Sequence, residues 1–205
     1  MPRMPTDATS RDGAMPAAPR CDVPNECILT ARPVGVMRCL QRLHHEAPRQ
    51  ARTDAAREDD AVHGEVVVHR GLHNLLHDLA GFSHVWLLFH CHLSRGYRDM
   101  VVPPRDTSKR GLFATRSPNR PNPIGLSAVR LLRIEKRVLA IGRHDLLDGT
   151  PILDIKPYVA AYDAIPDARG GWVEGIAPDE RPDHRAWWQA KGIPPPRVYR
   201  ARGHS

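Results

Sequence analysis

The sequence predicts a mainly β protein, a small antiparallel β-barrel with one short helix and extended tails. Three observations carry that expectation. Short apolar segments rich in β-branched residues recur between turn signals from residue 28 to 159. Only one stretch, 71–82, places its leucines at helical spacing. Neither a βαβ alternation nor a GxGxxG turn occurs, which removes the doubly wound nucleotide-binding sheet.

Each element follows from local pattern. Residues 1–26 are poor in bulky apolar groups and carry Pro2, Pro5, Pro16 and Pro19 among Arg3, Arg11 and Arg20, so a disordered leader is expected there. The barrel domain is expected over 27–168, with 169–205 as a basic, Pro-rich C-terminal extension. ILTARPVGVMRCL (28–40) reads as the first strand, and the polar stretch 43–65 as a long loop. EVVVHR (65–70) is a short strand. In GLHNLLHDLAGF (71–82), Leu72, Leu75, Leu76 and Leu79 predict a helix that stops at Gly81. SHVWLLFHCHL (83–93) is a nearly continuous apolar run, the pattern of a buried strand. SAVRLLRIEKRVLAIGRHDLL (127–147) folds back at Glu135-Lys136-Arg137 as a hairpin. PILDIKPYV (151–159) is a further strand, and Pro151 is admissible at its first position, where a missing N–H is tolerated. Near the end, Pro194, Pro195 and Pro196 precede Arg197, Arg200 and Arg202, an arm suited either to nucleic acid or to a tail or strap.

Composition narrows the function classes. A chain of 205 residues with 41% hydrophobic content suits one compact domain with appendages. No apolar run reaches the roughly 18 residues of a membrane span, and no secretory stretch opens the chain. Cys21, Cys27, Cys39 and Cys91 show no CxxC spacing, which argues against a disulfide framework and for a reducing cytoplasm. His73 with His77, and His90 with His92, give two ligands each where a metal site needs three or four, so no metal is expected. No spacing supports a Ser-His-Asp or Cys-His nucleophile. The net charge of +7 points to a polyanionic partner.

Two segments stand apart from core sequence. GLFATRSPNRPNPIGLS (111–127) sets Arg116 and Arg120 among Pro118, Pro121 and Pro123, so two cations sit on a stiffened loop. DLLDGTPILDIKPYV (145–159) carries Asp145, Asp148 and Asp154. A basic loop and an acidic turn together suit a charged, polyfunctional ligand. By itself the Asp145–Asp148 turn fits either an acidic metal cluster or a turn that meets an adenine ring and its hydroxyl or amino groups.

With ARPVGVMRC, APRQ, LAGFSHVWLLFHCHL and PPR in the same order along residues 31–160, these segments make the chain resemble the TrmO/TsaA-like (YaeB-like) tRNA methyltransferases. The resemblance implies a small, usually dimeric β-barrel that binds S-adenosyl-L-methionine without a Rossmann fold and acts in the cytoplasm. It implies methylation of the exocyclic nitrogen of threonylcarbamoyl-adenosine at position 37, in the anticodon loop of tRNA. Cofactor contacts carried over from the family fall on Pro48, Arg49 and Gln50, on His92 and Leu93, on Arg116 and Leu126, and on Asp145, Leu146, Leu147 and Asp148. Arg120 and Asn122 are the candidates for shaping the target pocket. No catalytic base is identified. The rival readings are the same enzyme class acting on a small molecule, and a cofactor-sensing RNA-binding regulator without turnover.

Overall fold

The computed structural model describes residues 30–42, 61–104 and 106–175. Eight strands form in chain order: β1 (Gly35–Cys39), β2 (Gly64–Val68), β3 (His84–His90), β4 (Met100–Val101), β5 (Arg110–Gly111), β6 (Ile124–Glu135), β7 (Val138–Ile141) and β8 (Pro151–Pro157). Six of them close into an antiparallel barrel in the order β1-β2-β7-β6-β3-β8, with β8 returning to β1. β4 and β5 make a separate two-stranded hairpin.

Period-two alternation explains the interior. Val85, Leu87 and Phe89 of β3 point inward opposite Val129, Ser127 and Gly125 of β6. Met37, Val66, Leu139, Ile141 and Ile152 complete a core without solvent access. A narrow barrel needs small residues where large ones converge. A Cβ at Gly125 would overlap the Phe89 ring, and one at Gly64 would overlap Met37 Cε and the His144 ring. Curvature is set by two irregularities: β6 skips a partner between Leu131 and Arg133 against β7, and β8 skips one between Ile152 and Asp154 against β3. The β6–β7 turn passes through Lys136, which holds a left-handed φ of 55°. Arg137 anchors that turn by donating to Val68 O at 2.9 Å.

The expected strands are present with altered ends. β6 begins at Ile124, three residues before the predicted start, so IGLS (124–127) is strand and not loop. Pro151 opens β8 as expected. The helix predicted over 71–82 is corrected to two 3-10 turns, His73–Leu76 and Leu79–Gly81. Asp78 has a left-handed φ of 63°, which breaks the continuity that an α-helix requires. Leu76 and Leu79 face the core, whereas Leu75 is 74% exposed. The short α-helix among the described residues is instead Ala160–Asp163, where Val159 N donates to Asp163 Oδ2 at 2.8 Å. The leader, the Pro48-Arg49-Gln50 triplet and the basic arm after residue 175 lie outside the described residues.

Candidate functional site at the barrel mouth

Three chain segments meet at one end of the barrel: the exit of β3 (residues 90–94), the loop 112–123, and the loop 142–150. Hydrogen bonds tie the first two together. Cys91 N donates to Pro123 O at 2.7 Å, and Ser94 Oγ donates to Asn119 Oδ1 at 3.1 Å.

At the centre lies Asp145. Ser127, inward-facing and buried on β6, donates its hydroxyl to Asp145 Oδ1 at 2.6 Å. Burial pushes the Asp145 carboxyl above its ordinary range, against opposing pulls from Ser127 and from the charge of Arg116. Burial likewise raises the Cys91 thiol; Asp145 adds to the effect and Arg120 opposes it. Asp145, Cys91, Arg116 and Arg120 therefore lie within electrostatic reach of one another. A raised thiol is a poor nucleophile, so Cys91 is suited to packing and not to covalent chemistry.

Neighbouring residues fix the acidic turn. His144 is buried; its Nδ1 accepts from Leu146 N at 3.2 Å, so its Nε2 carries the proton and faces His63 O at 3.1 Å. Burial keeps the ring below its ordinary pKa. Asp148 accepts from Cys39 N at 3.2 Å while its own N–H donates to Gln41 O at 2.7 Å, hooking the turn onto the end of β1.

The 112–123 loop is stapled from inside and outside. Arg120 Nη1 donates to Thr115 O at 2.9 Å, and its guanidinium stands 5.4 Å from the Phe113 ring centre. Trp172 Nε1 donates to Ala114 O at 2.8 Å, and Arg110 sits over the Trp172 ring at 5.3 Å. Asp106 holds Arg110 Nε at 2.6 Å.

The sequence-predicted residues distribute unevenly. Asp145 lies within electrostatic reach of Arg116. His92 and Leu93 follow β3 at the same end, with Leu93 45% exposed. Leu126 is 55% exposed on the outer face of β6, opposite Leu88 of β3. Leu146 and Leu147 bury their side chains, so only their backbone is available to a ligand. Asn122 is exposed, and its carbonyl accepts from Ile124 N. Sequence reading passed over Ser127, His144 and Trp172. Ser127 alone carried a signal: it alternates in phase with Val129 and Leu131, and a polar group turned inward must find a partner.

S-adenosyl-L-methionine carries a carboxylate, an ammonium, hydroxyls, a purine and a sulfonium. The residues present fit it: Arg116 for the carboxylate, Asp145 for hydroxyl or amino groups, and the exposed Leu93 and Leu126 for apolar surface.

Fold and site define a class: a closed antiparallel barrel with a charged mouth, unrelated to the parallel nucleotide-binding sheet. A family model described as the tRNA-methyltransferase O N-terminal domain matches residues 36–164, and the chain belongs to that family. It is 41% identical over 143 residues to a probable S-adenosyl-L-methionine-binding protein of Pyrococcus abyssi, covering 70% of this chain and 75% of the relative. It is 46% identical over 125 residues to the tRNA (adenine(37)-N6)-methyltransferase of Eikenella corrodens, covering 56% and 69%. The crystal structure of TrmO from Pseudomonas aeruginosa superposes with a TM-score of 0.58 at 36% identity, covering 71% of this chain and 63% of that one. The chain thus spans less than two thirds of that solved structure.

Proposed function

We propose that this protein is an S-adenosyl-L-methionine-dependent methyltransferase that modifies the exocyclic nitrogen of adenine 37 in tRNA, with threonylcarbamoyl-adenosine in the anticodon loop as its acceptor. The observation that carries the reading is Asp145, held by Ser127 and within electrostatic reach of Arg116, at the mouth of a barrel of this family. When bound, the cofactor supplies an electrophilic methyl group on a sulfonium. The protein's own residues bind and align. Arg116 offers a guanidinium to a carboxylate, and Asp145 and Asp148 offer acceptors to hydroxyl and amino groups. The stapled 112–123 loop holds Arg116 in place, so that little freedom is lost when the reactants are brought together. Pro48, Arg49, Gln50, His92, Leu93, Leu126 and the backbone of Leu146 and Leu147 complete the assigned cofactor contacts. Asn122 borders the acceptor. Arg120 acts by shaping its loop.

The same reading makes the protein a homodimer that works on cytoplasmic tRNA. The outer face of β3 and β8 supports the dimer: Trp86 and Leu88 point away from the core there, and Trp86 packs on Tyr158 at 5.4 Å. Sedimentation equilibrium checks the dimer.

The decisive assay supplies labelled cofactor and total tRNA from cells with and without the threonylcarbamoyl modification, followed by nucleoside mass analysis. Product on modified tRNA alone is expected. Cofactor binding without product on either tRNA would reject the reading in favour of a small-molecule acceptor or a regulator.

A further inference from the structure

Beside the mouth, the segment 95–101 and the loop 115–120 enclose a groove of about 220 Å³ lined by Arg95, Tyr97, Arg98, Val101, Ser117 and Asn119. Its two walls are joined by the Ser94–Asn119 hydrogen bond, which uses the Asn119 oxygen and leaves its NH2 group to donate. Gly96, with φ at 88°, turns the chain between the two arginines. Tyr97 is 55% exposed. The side chains of Arg95 and Arg98 make no ion pair or hydrogen bond with the described residues. Among the described residues no carboxylate lines the groove, although exposed Asp99 follows Arg98 in the chain.

We propose that this groove binds one nucleotide of single-stranded RNA next to the base that is methylated, a proposal that rests on the tRNA reading above. Two guanidiniums without a partner among the described residues, on either side of one exposed aromatic residue in the chain, match a phosphodiester beside a flat base. Arginine binds phosphate in a bidentate fork, and tyrosine offers a stacking face to any base. Ser117 and Asn119 provide hydroxyl and amide groups for a ribose 2′-hydroxyl or a base edge. The volume falls below the about 300–1,000 Å³ typical of whole small-molecule sites, which suits one ring and its phosphate and not the entire cofactor. Ser117 and Asn119 belong to the loop that carries Arg116 and Arg120, so the groove shares a loop with the candidate cofactor site. A duplex keeps its bases stacked and cannot insert one here, whereas an anticodon loop presents them.

The test is fluorescence anisotropy of the full chain with a labelled RNA hairpin bearing an anticodon-type loop, alongside calorimetry with S-adenosyl-L-methionine. Tyr97→Ala should weaken RNA binding about five- to a hundredfold, and Tyr97→Phe should restore it. The double variant Arg95→Ala, Arg98→Ala should flatten the dependence of log affinity on log salt by about 0.7 for each phosphate that is no longer neutralised. Cofactor affinity should stay at the wild-type value in all three variants. RNA affinity and salt slope unchanged in the Ala variants, or a wild-type protein that does not bind the hairpin, would overturn the groove. Normal hairpin binding that these variants abolish, without methyl transfer to tRNA, would uphold the groove and reject the activity.

Discussion

Ser127 and Asp145 sit eighteen positions apart in sequence and 2.6 Å apart in space, and each makes the other tolerable. A buried carboxylate without that hydroxyl loses a charge-assisted hydrogen bond, so Ser127→Ala should lower stability by about 1.5–3 kcal/mol at neutral pH, read as a shift in the urea midpoint. Arg116 has a different task. Arg116→Ala should weaken S-adenosyl-L-methionine binding tenfold or more by calorimetry, as expected when one charge-assisted hydrogen bond to the ligand is removed. His144 titrates in the opposite sense to Asp145. Its folded pKa is depressed by burial, so the unfolded chain binds the extra proton first as pH falls. The stability associated with the neutral ring is complete above the ordinary imidazole range and is lost below it, by at most about 1.4 kcal/mol per pH unit. Asp145, whose pKa is raised, adds stability below the ordinary carboxylate range and loses it as pH rises through its folded value. His144→Gln should therefore flatten the acid limb of a plot of urea midpoint against pH, whereas an unchanged limb would assign it to other groups.

Among the elements, the strands were legible because most barrel strands bury one face, and alternation survives in β2, β3 and β6, although β7 buries residues on both faces. The helix over 71–82 was misread for a definite reason. Leucines three and four apart satisfy a 3-10 turn as well as an α-helix, and nothing in the local sequence announces a left-handed Asp78. The β4–β5 hairpin is too short to show a period. In the site, Asp145 and Arg116 could be named from their motifs, but their partners could not. Ser127 and Trp172 act across large gaps in sequence, and Leu146 and Leu147 give no local sign that their side chains belong to the core. The loop 112–123 depends on such distant ties. Arg120→Ala removes the donor to Thr115 O, and Trp172→Phe removes the donor to Ala114 O. Either change should raise the rate of proteolysis within that loop severalfold in limited digestion, with little change in the global unfolding midpoint, because a loop opens at lower cost than the barrel. A fall in the midpoint equal to that of a core substitution would place both residues in the global fold instead.

At the scale of the whole molecule, the barrel relies on pairings between distant parts of the chain. β3 meets β8, and β1 meets β8, where Gly35 stands opposite Ile152. Such topology carries a high relative contact order, so refolding from urea should fall in the millisecond-to-second range of β-barrels and not the microsecond range of helical bundles. A stopped-flow chevron measures this, and a dominant phase faster than a millisecond would contradict it.

One strand therefore governs the timing of synthesis. β8 is the last barrel strand among the described residues, and it joins the open edges of both β1 and β3. Until residues 151–157 leave the ribosome, those two edges have no partner within the ring, and the nascent chain presents unpaired backbone to its surroundings. A synonymous codon change that slows translation just before β8 would lengthen this vulnerable interval without altering a single amino acid, and would show first as a loss of soluble yield.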